Sequence, residues 1–174
     1  MIPSKDEAIS LLKKLKIPWN IIDHQLAVMR KARDLAHEID SLDINYDLVK
    51  IGGAIHDIGR HITHGLAHGA AGGDFLRKNG YSESLARVVE RHVMGGIKKE
   101  ETEDLGLPKR SFVPETIEEK IVCLADKYLD GDTEVTIKQR FQKWIDKYGE
   151  TDFLKVHMKR VIQLEEEILK LIFL

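Results

Sequence analysis

Six histidines and two aspartates stand where a chain could use them on a metal ion or a phosphate. His24 comes alone, His56 is followed at once by Asp57, His61, His64 and His68 arrive in quick succession, and His92 and Asp126 lie further on. Neutral imidazole and carboxylate are the ligands that divalent Mn, Fe, Co, Ni, Zn or Mg accept, and a carboxylate beside a ligating histidine can bridge two ions. The lone cysteine, Cys123, rules out a cysteine-cluster zinc site and an internal disulfide, so the ligands would be His and Asp alone. Cys123 as a nucleophile is disfavoured, because it sits mid-helix without a general base on its own face.

Orientation separates these residues from an ordinary polar surface. On a wheel of about 100° per residue, His24 falls about 20° from Leu35 and about 40° from Val28, inside the apolar stripe of its helix. His92 follows Leu85 by one heptad, beside Val88 and Val89, and so faces inward too. His56 and Asp57 close the apolar run "LVKIGGAI" and are buried with it. His64 and His68, four apart, share a face with Gly72 and Phe75 if both are helical. Asp126 points between Val122 and Cys123 on a helix that is apolar over most of its circumference. Singly, each would read as a core histidine bonded to a carbonyl or an acid in an ion pair. Collectively, they would need separate buried partners from five helices, whereas a metal satisfies them at once. His37 and His157, amid charged neighbours, are expected in solvent, and His61 is left out of the set.

The elements that must position them read as helices throughout. The 174 residues are 43% apolar, enough for one domain, here taken as 1–174, with about seven to nine helices and a metal site in the core. Ser4 with Glu7 forms a capping box for a helix to about Lys16, and a second helix covers Asn20 to Ile39. A third runs from Asp47 to Ile58, a fourth from Leu66 to Asn79, and Ser82 caps a fifth that ends near His92. Pro114 is expected to open a sixth, "PETIEEKIVCLADKYLD", and two more split around Gly149. No alternating strand pattern is present. Val93 to Val113, without period, reads as a functional lid or a short helix. The pairs Gly52-Gly53 and Gly72-Gly73 cost roughly 1 kcal/mol each inside helices, which close helix approach would offset.

The net charge of -2 gives no field that draws nucleic acid or an anionic membrane, and neither is expected as a partner. No signal peptide and no apolar run near ~18 residues is present, so a cytoplasmic setting is expected.

In order and context these residues resemble the HD-domain superfamily of metal-dependent phosphohydrolases. His24, His56-Asp57 and Asp126 match its histidine, His-Asp and late aspartate. "HQLAVMRKARDLA" follows H-x3-V-x3-A-x2-L-A, and "GGAIHDIGR" matches the HDIG turn. "HGAAGGDFL", "ERHVMGG" and "EEKIVCLADKYLD" are similar to later helices of small single-domain members, including the dinucleoside-tetraphosphate-hydrolysing branch. The likeness spans about 20 to 130 and leaves the helices of 133–174 outside it.

The resemblance implies that His24, His56, Asp57 and Asp126 hold a first metal, and that Asp57 bridges to a second held by His68 and His92. Cyclic dinucleotide phosphodiesterases of the family carry two adjacent histidines where this chain has His92-Val93, followed by a Gly-Tyr-Pro motif absent here, so that substrate is not expected. Metal-activated hydroxide would attack the phosphorus of a nucleotide or similar small phosphorylated metabolite. Arg60 is assigned to phosphate charge, its alternative being a cation that favours a helix C-terminus. His64 could protonate the leaving oxygen, bind phosphate or act as a further ligand. Arg91 is a candidate for steering a nucleotide, and Lys98 and Lys99 read as solvated. The competing reading is a non-catalytic nucleotide or metal sensor on the same fold. The end "ILKLIFL" either completes the core or pairs with a second copy, with a homodimer as the working expectation.

Overall fold

A computed structural model describes all 174 residues. The chain forms α1 (Lys5–Lys14), α2 (Trp19–His37), α3 (Tyr46–Ile55), α4 (His68–Lys78), α5 (Glu83–Glu90) and α6 (Ile117–Lys127), then α7 (Ile137–Tyr148) and α8 (Asp152–Ile172). The all-α expectation holds, with eight helices. Two small additions were not foreseen, a hairpin pairing Leu129–Asp130 with Thr133–Glu134 and a short 3-10 turn at Ile58–His61, whereas the 3-10 turn at Lys99–Glu101 meets the short-helix alternative for residues 93–113. Strand pieces of two residues are too short to leave an alternating pattern in a sequence.

Helix α6 is the axis of the molecule. Its residues from Ile121 to Lys127 are buried without a break, and it touches α2, α3, α5 and α8. The same core takes in Val28, Ala32 and Leu35 of α2, Val49 and Ile55 of α3, and Val161, Leu164 and Ile168 of α8. Burial of these side chains, at roughly 1.5–3 kcal/mol for each large one, is what holds eight helices against their conformational entropy.

Close approach at α2 and α3 depends on Gly53, where an added Cβ would stand 2.8 Å from the Met29 Cα. The expectation for the glycine pairs is therefore met, since Gly72 and Gly73 likewise lie against Val89 and Glu90 of α5. Gly59 is tighter still. A Cβ there would lie 1.9 Å from the His68 carbonyl oxygen, so the 3-10 turn that follows His56-Asp57 is pressed directly onto the start of α4.

Several sequence readings need correction. Helix α3 stops at Ile55 rather than Ile58, because the chain tightens into that turn. Pro114 does not open α6. Thr116 caps it instead, accepting from the Glu119 N–H while the Glu119 carboxylate accepts from the Thr116 N–H, a capping box that fixes the first helical residue at Ile117, three residues later. Residues 93–113 are a packed strap and not a lid. Ile97 and Phe112 exchange backbone hydrogen bonds, and both join Ala70, Val93 and Leu107 in a second small core, while Glu101 is clamped by the Arg160 guanidinium at 2.6 Å. The end of the chain completes the core through Ile168, with Leu169, Phe173 and Leu174 left exposed.

Candidate metal centre

Five helices bring the polar residues to one point. His24 comes from the second turn of α2 and Asp126 from the last turn of α6. His56 and Asp57 stand at the end of α3, His68 is the first residue of α4, and His92 lies just past α5. His56, Asp57, His68, His92 and Asp126 are all buried, and His24 is nearly so.

Each of the four imidazoles is held the same way. Nδ1 faces a backbone carbonyl: Gly131 at 2.7 Å for His24, Gly53 at 2.8 Å for His56, Gly65 at 2.8 Å for His68 and Val89 at 2.6 Å for His92. A carbonyl only accepts, so Nδ1 carries the proton in each ring and Nε2 is left as a lone pair. Those four Nε2 atoms converge on the two carboxylates. His24 Nε2 is 3.0 Å from Asp126 Oδ1 and His56 Nε2 is 3.5 Å from the same oxygen. His68 and His92 Nε2 lie 3.0 and 3.4 Å from Asp57 Oδ1, and 3.0 Å from each other.

Lone pairs facing lone pairs and carboxylate oxygens in a dry interior repel unless a cation lies among them. His56 Nε2 makes the point most plainly, being buried with no hydrogen-bond partner. Three sets of ligand atoms lie within 4.8 Å of one another: His24, His56 and Asp57; His56, His92 and Asp126; and Asp57, His68 and His92. Atoms about 3 Å apart are spaced like neighbouring vertices around an ion with bonds of roughly 2.1 Å. The donor set thus fits one or two divalent ions, with Asp57 common to two of the three sets.

Electrostatics agree at the two carboxylates and at His92, while at His24 burial is outweighed by Asp126, Asp57 and the Gly131 carbonyl, which raise its pKa. Burial opposes charge on Asp57, yet His56, His68 and His92 around it hold its carboxyl well below the usual range. Burial likewise opposes charge on Asp126, and Lys127, His24 and His56 outweigh it in the same direction. For His92 burial wins, with His56 and His68 adding to it, and its pKa is pushed down to about 3. Anionic carboxylates beside a neutral imidazole are the protonation states that a metal requires.

The remaining assignments divide. Arg60 does reach the site, its Nε 2.8 Å from Asp57 Oδ2, with its side chain partly open to the cavity. His64 lines the same cavity but is exposed and lies in a bend ahead of α4, so it does not share a helical face with His68. His61 packs edge-on to Phe75 and joins none of the ligand sets. Arg91 does not face the cavity: it is buried against Glu119 at 2.9 Å and Glu115 at 3.0 Å. His157 is buried at 1% exposure, contrary to expectation, because it lies on the Leu154, Val161, Leu164 stripe of α8 although its sequence neighbours are charged. Cys123 has its thiol pushed up to about 11 by burial, which suits an inert core residue.

Two features carried no signal in the sequence reading. Lys127 is a fully buried lysine, its Nζ 2.6 Å from Asp126 Oδ2 and 2.8 Å from the His92 carbonyl oxygen. The cavity itself, about 440 Å³, opens from the cluster toward α7 and α8, which supply Arg140, Trp144, Tyr148 and Phe153 to its far wall.

Comparison with known proteins places these residues in context. The HD domain family profile matches residues 21–130. An uncharacterised protein of Methanocaldococcus jannaschii is 41% identical over 165 residues, covering 94% of this chain and 95% of that one. A tRNA (cytidine(56)-2'-O)-methyltransferase of Picrophilus torridus is 38% identical over 146 residues, 84% of this chain but only 42% of that protein. Among solved structures, the HD domain of the L. monocytogenes phosphodiesterase PgpH in complex with cyclic-di-AMP superposes with a TM-score of 0.55. It is 19% identical, and the match covers 91% of this chain and 96% of that one, a likeness of fold.

Proposed function

The chain belongs to the HD domain family, and from that premise we propose that it is a metal-dependent phosphohydrolase, cleaving a phosphate ester or anhydride of a nucleotide or similar small metabolite. The observation that carries this reading is the convergence of four Nε2 lone pairs, fixed by four backbone carbonyls, on Asp57 and Asp126. His24, His56, Asp57, His68, His92 and Asp126 would hold one or two divalent ions. Such an ion supplies a water of lowered pKa and a counter-charge for phosphoryl oxygens. Asp57 holds the histidines of both sides in register and stays anionic. Arg60, oriented by Asp57, offers its outer guanidinium nitrogens to a phosphate in the cavity, where charge spreads over the equatorial oxygens in the transition state. His64, exposed at the cavity mouth, is placed to donate a proton to a leaving oxygen or to bind phosphate.

Residues 1–174 act as one domain in this reading, since α7 and α8 wall the cavity into which the motif-bearing residues open. No helix is long and apolar enough to cross a membrane, and a reducing cytoplasmic setting suits the buried thiol. A second substrate reading, RNA, draws on the tRNA methyltransferase relative, 42% of which the match covers. A cavity of about 440 Å³ is of a size that holds one nucleotide, whether free or at the end of a strand.

The test is phosphate release from mononucleotides, dinucleoside polyphosphates, cyclic-di-AMP and 5'- or 3'-phosphorylated RNA, with and without added Mn²⁺. Metal-dependent release from one class is expected, lost by at least a thousand-fold in Asp57→Ala, the scale on which removing one essential group acts. Unchanged turnover in the metal-loaded variant would exclude the mechanism.

A further inference from the structure

The far wall of the cavity does work that the metal cluster leaves open. Helix α7 ends at Tyr148, Gly149 reverses the chain at φ +87°, and α8 begins at Asp152, so the two helices turn their rings to one space. Trp144, Tyr148 and Phe153 all line the cavity. Trp144 and Phe153 rest one side on the core and keep the other open to the cavity. Phe141, one turn before Trp144, is fully buried and meets it edge-on at 4.9 Å, whereas Trp144 and Phe153 are only half-buried and Tyr148 is 64% exposed.

Arg140 completes the wall. Its guanidinium lies 4.4 Å from the Trp144 ring centre, and its only acidic contact is a long one, 3.5 Å to Asp130, which Lys143 binds more closely at 2.5 Å. The Arg140 Nε is buried without a partner. An acyl or isoprenoid group on this wall would leave the guanidinium with nothing but that long contact to Asp130. A nucleobase would not: it has flat π-faces for the rings and acceptors on its edges for a guanidinium.

We infer that Trp144, Tyr148, Phe153 and Arg140 form a base-binding subsite that selects a nucleotide whose phosphate reaches the His/Asp cluster. The inference rests on the phosphohydrolase reading for the orientation of that phosphate, while the base site can be tested without turnover. It assigns a purpose to residues 133–174, which lie beyond the matched family region of 21–130.

Trp144 is one of two tryptophans, and Trp19 is exposed on the surface away from the cavity. In a Trp19→Phe background, with the protein as purified and after Mn²⁺ loading, fluorescence is titrated with the four ribonucleosides, ribose and inorganic phosphate. Saturable quenching by at least one nucleoside, and none by ribose or phosphate, is expected. Absence of quenching by every nucleoside overturns the subsite. In a parallel assay, the ratio of kcat/KM for nucleoside 5'-monophosphates over ribose 5-phosphate should fall about ten-fold or more in Trp144→Ala and recover largely in Trp144→Phe. A ratio untouched by Trp144→Ala also overturns it. Quenching without any metal-dependent phosphate release would leave the base site standing and remove the phosphohydrolase reading instead.

Discussion

At the scale of single residues, the cluster sets imidazoles and carboxylates in a dry interior, where each is costly unless partnered. His24 and His92 fall on apolar stripes, and His56-Asp57 ends an apolar run, so burial of polar groups was forced by the pattern. Lys127 was not legible. It follows Asp126 directly, and a lysine in a last helical turn ordinarily answers the helix dipole in solvent. Its Nζ instead lies 2.6 Å from Asp126 and 2.8 Å from the His92 carbonyl oxygen, joining two arms of the site. Lys127→Met leaves the buried Asp126 carboxylate without that cation, and loss of one partner of such a pair costs about 3–5 kcal/mol. We predict a loss near 3 kcal/mol in urea unfolding of the metal-stripped protein, clearly smaller after Mn²⁺ loading because the ion then faces Asp126. An equal loss in both states would show that Lys127 acts on packing alone.

Among elements, helix starts were readable where a capping box exists and unreadable where two signals compete. Ser4 with Glu7 and the cap at Ser82 stood where expected, whereas Pro114 was outweighed by the box of Thr116 and Glu119. The strap of residues 93–113 was opaque because it owes its order to a small tertiary core rather than to any period. Glycine pairs proved more informative. At Gly53 a Cβ would press on the Met29 backbone at 2.8 Å, and backbone cannot yield as a side-chain tip can. Gly53→Ala is expected to cost about 1–3 kcal/mol and to weaken metal affinity, because α2 carries His24 while the Gly53 carbonyl orients His56. Gly65, with open space around its Cα, provides the control: Gly65→Ala should stay within about 0.5 kcal/mol of the parent. Equal stability of the two variants by thermal or urea unfolding would refute the close-contact explanation.

For the molecule as a whole, the fold class and helix count could be read from periodicity, but the placement of α7 and α8 could not. Their helical pattern is clear in sequence, yet only tertiary packing turns Trp144, Tyr148 and Phe153 toward the cluster. Packing also reverses the reading of His157. Burial, with Arg160 beside it and Glu101 opposing, pushes its pKa from 6.5 down to about 4. Between those values the unfolded chain binds a proton that the folded chain does not, so stability falls as pH drops through the window and is steady above it. His157→Asn removes that proton while keeping an acceptor for the Gly95 N–H. Its unfolding free energy should therefore decline less than the parent's between pH 6.5 and 4, and matching slopes would place the acid sensitivity elsewhere.

All of this turns on whether the buried imidazoles converge on metal. The most direct measurement is elemental analysis of protein purified without chelators, beside the same protein stripped and reloaded with Mn²⁺. About one or two divalent ions per chain are predicted, the number that three overlapping ligand sets, two of them sharing Asp57, can hold. No bound ion, even after reloading, would contradict that reading and leave the cluster as a polar core.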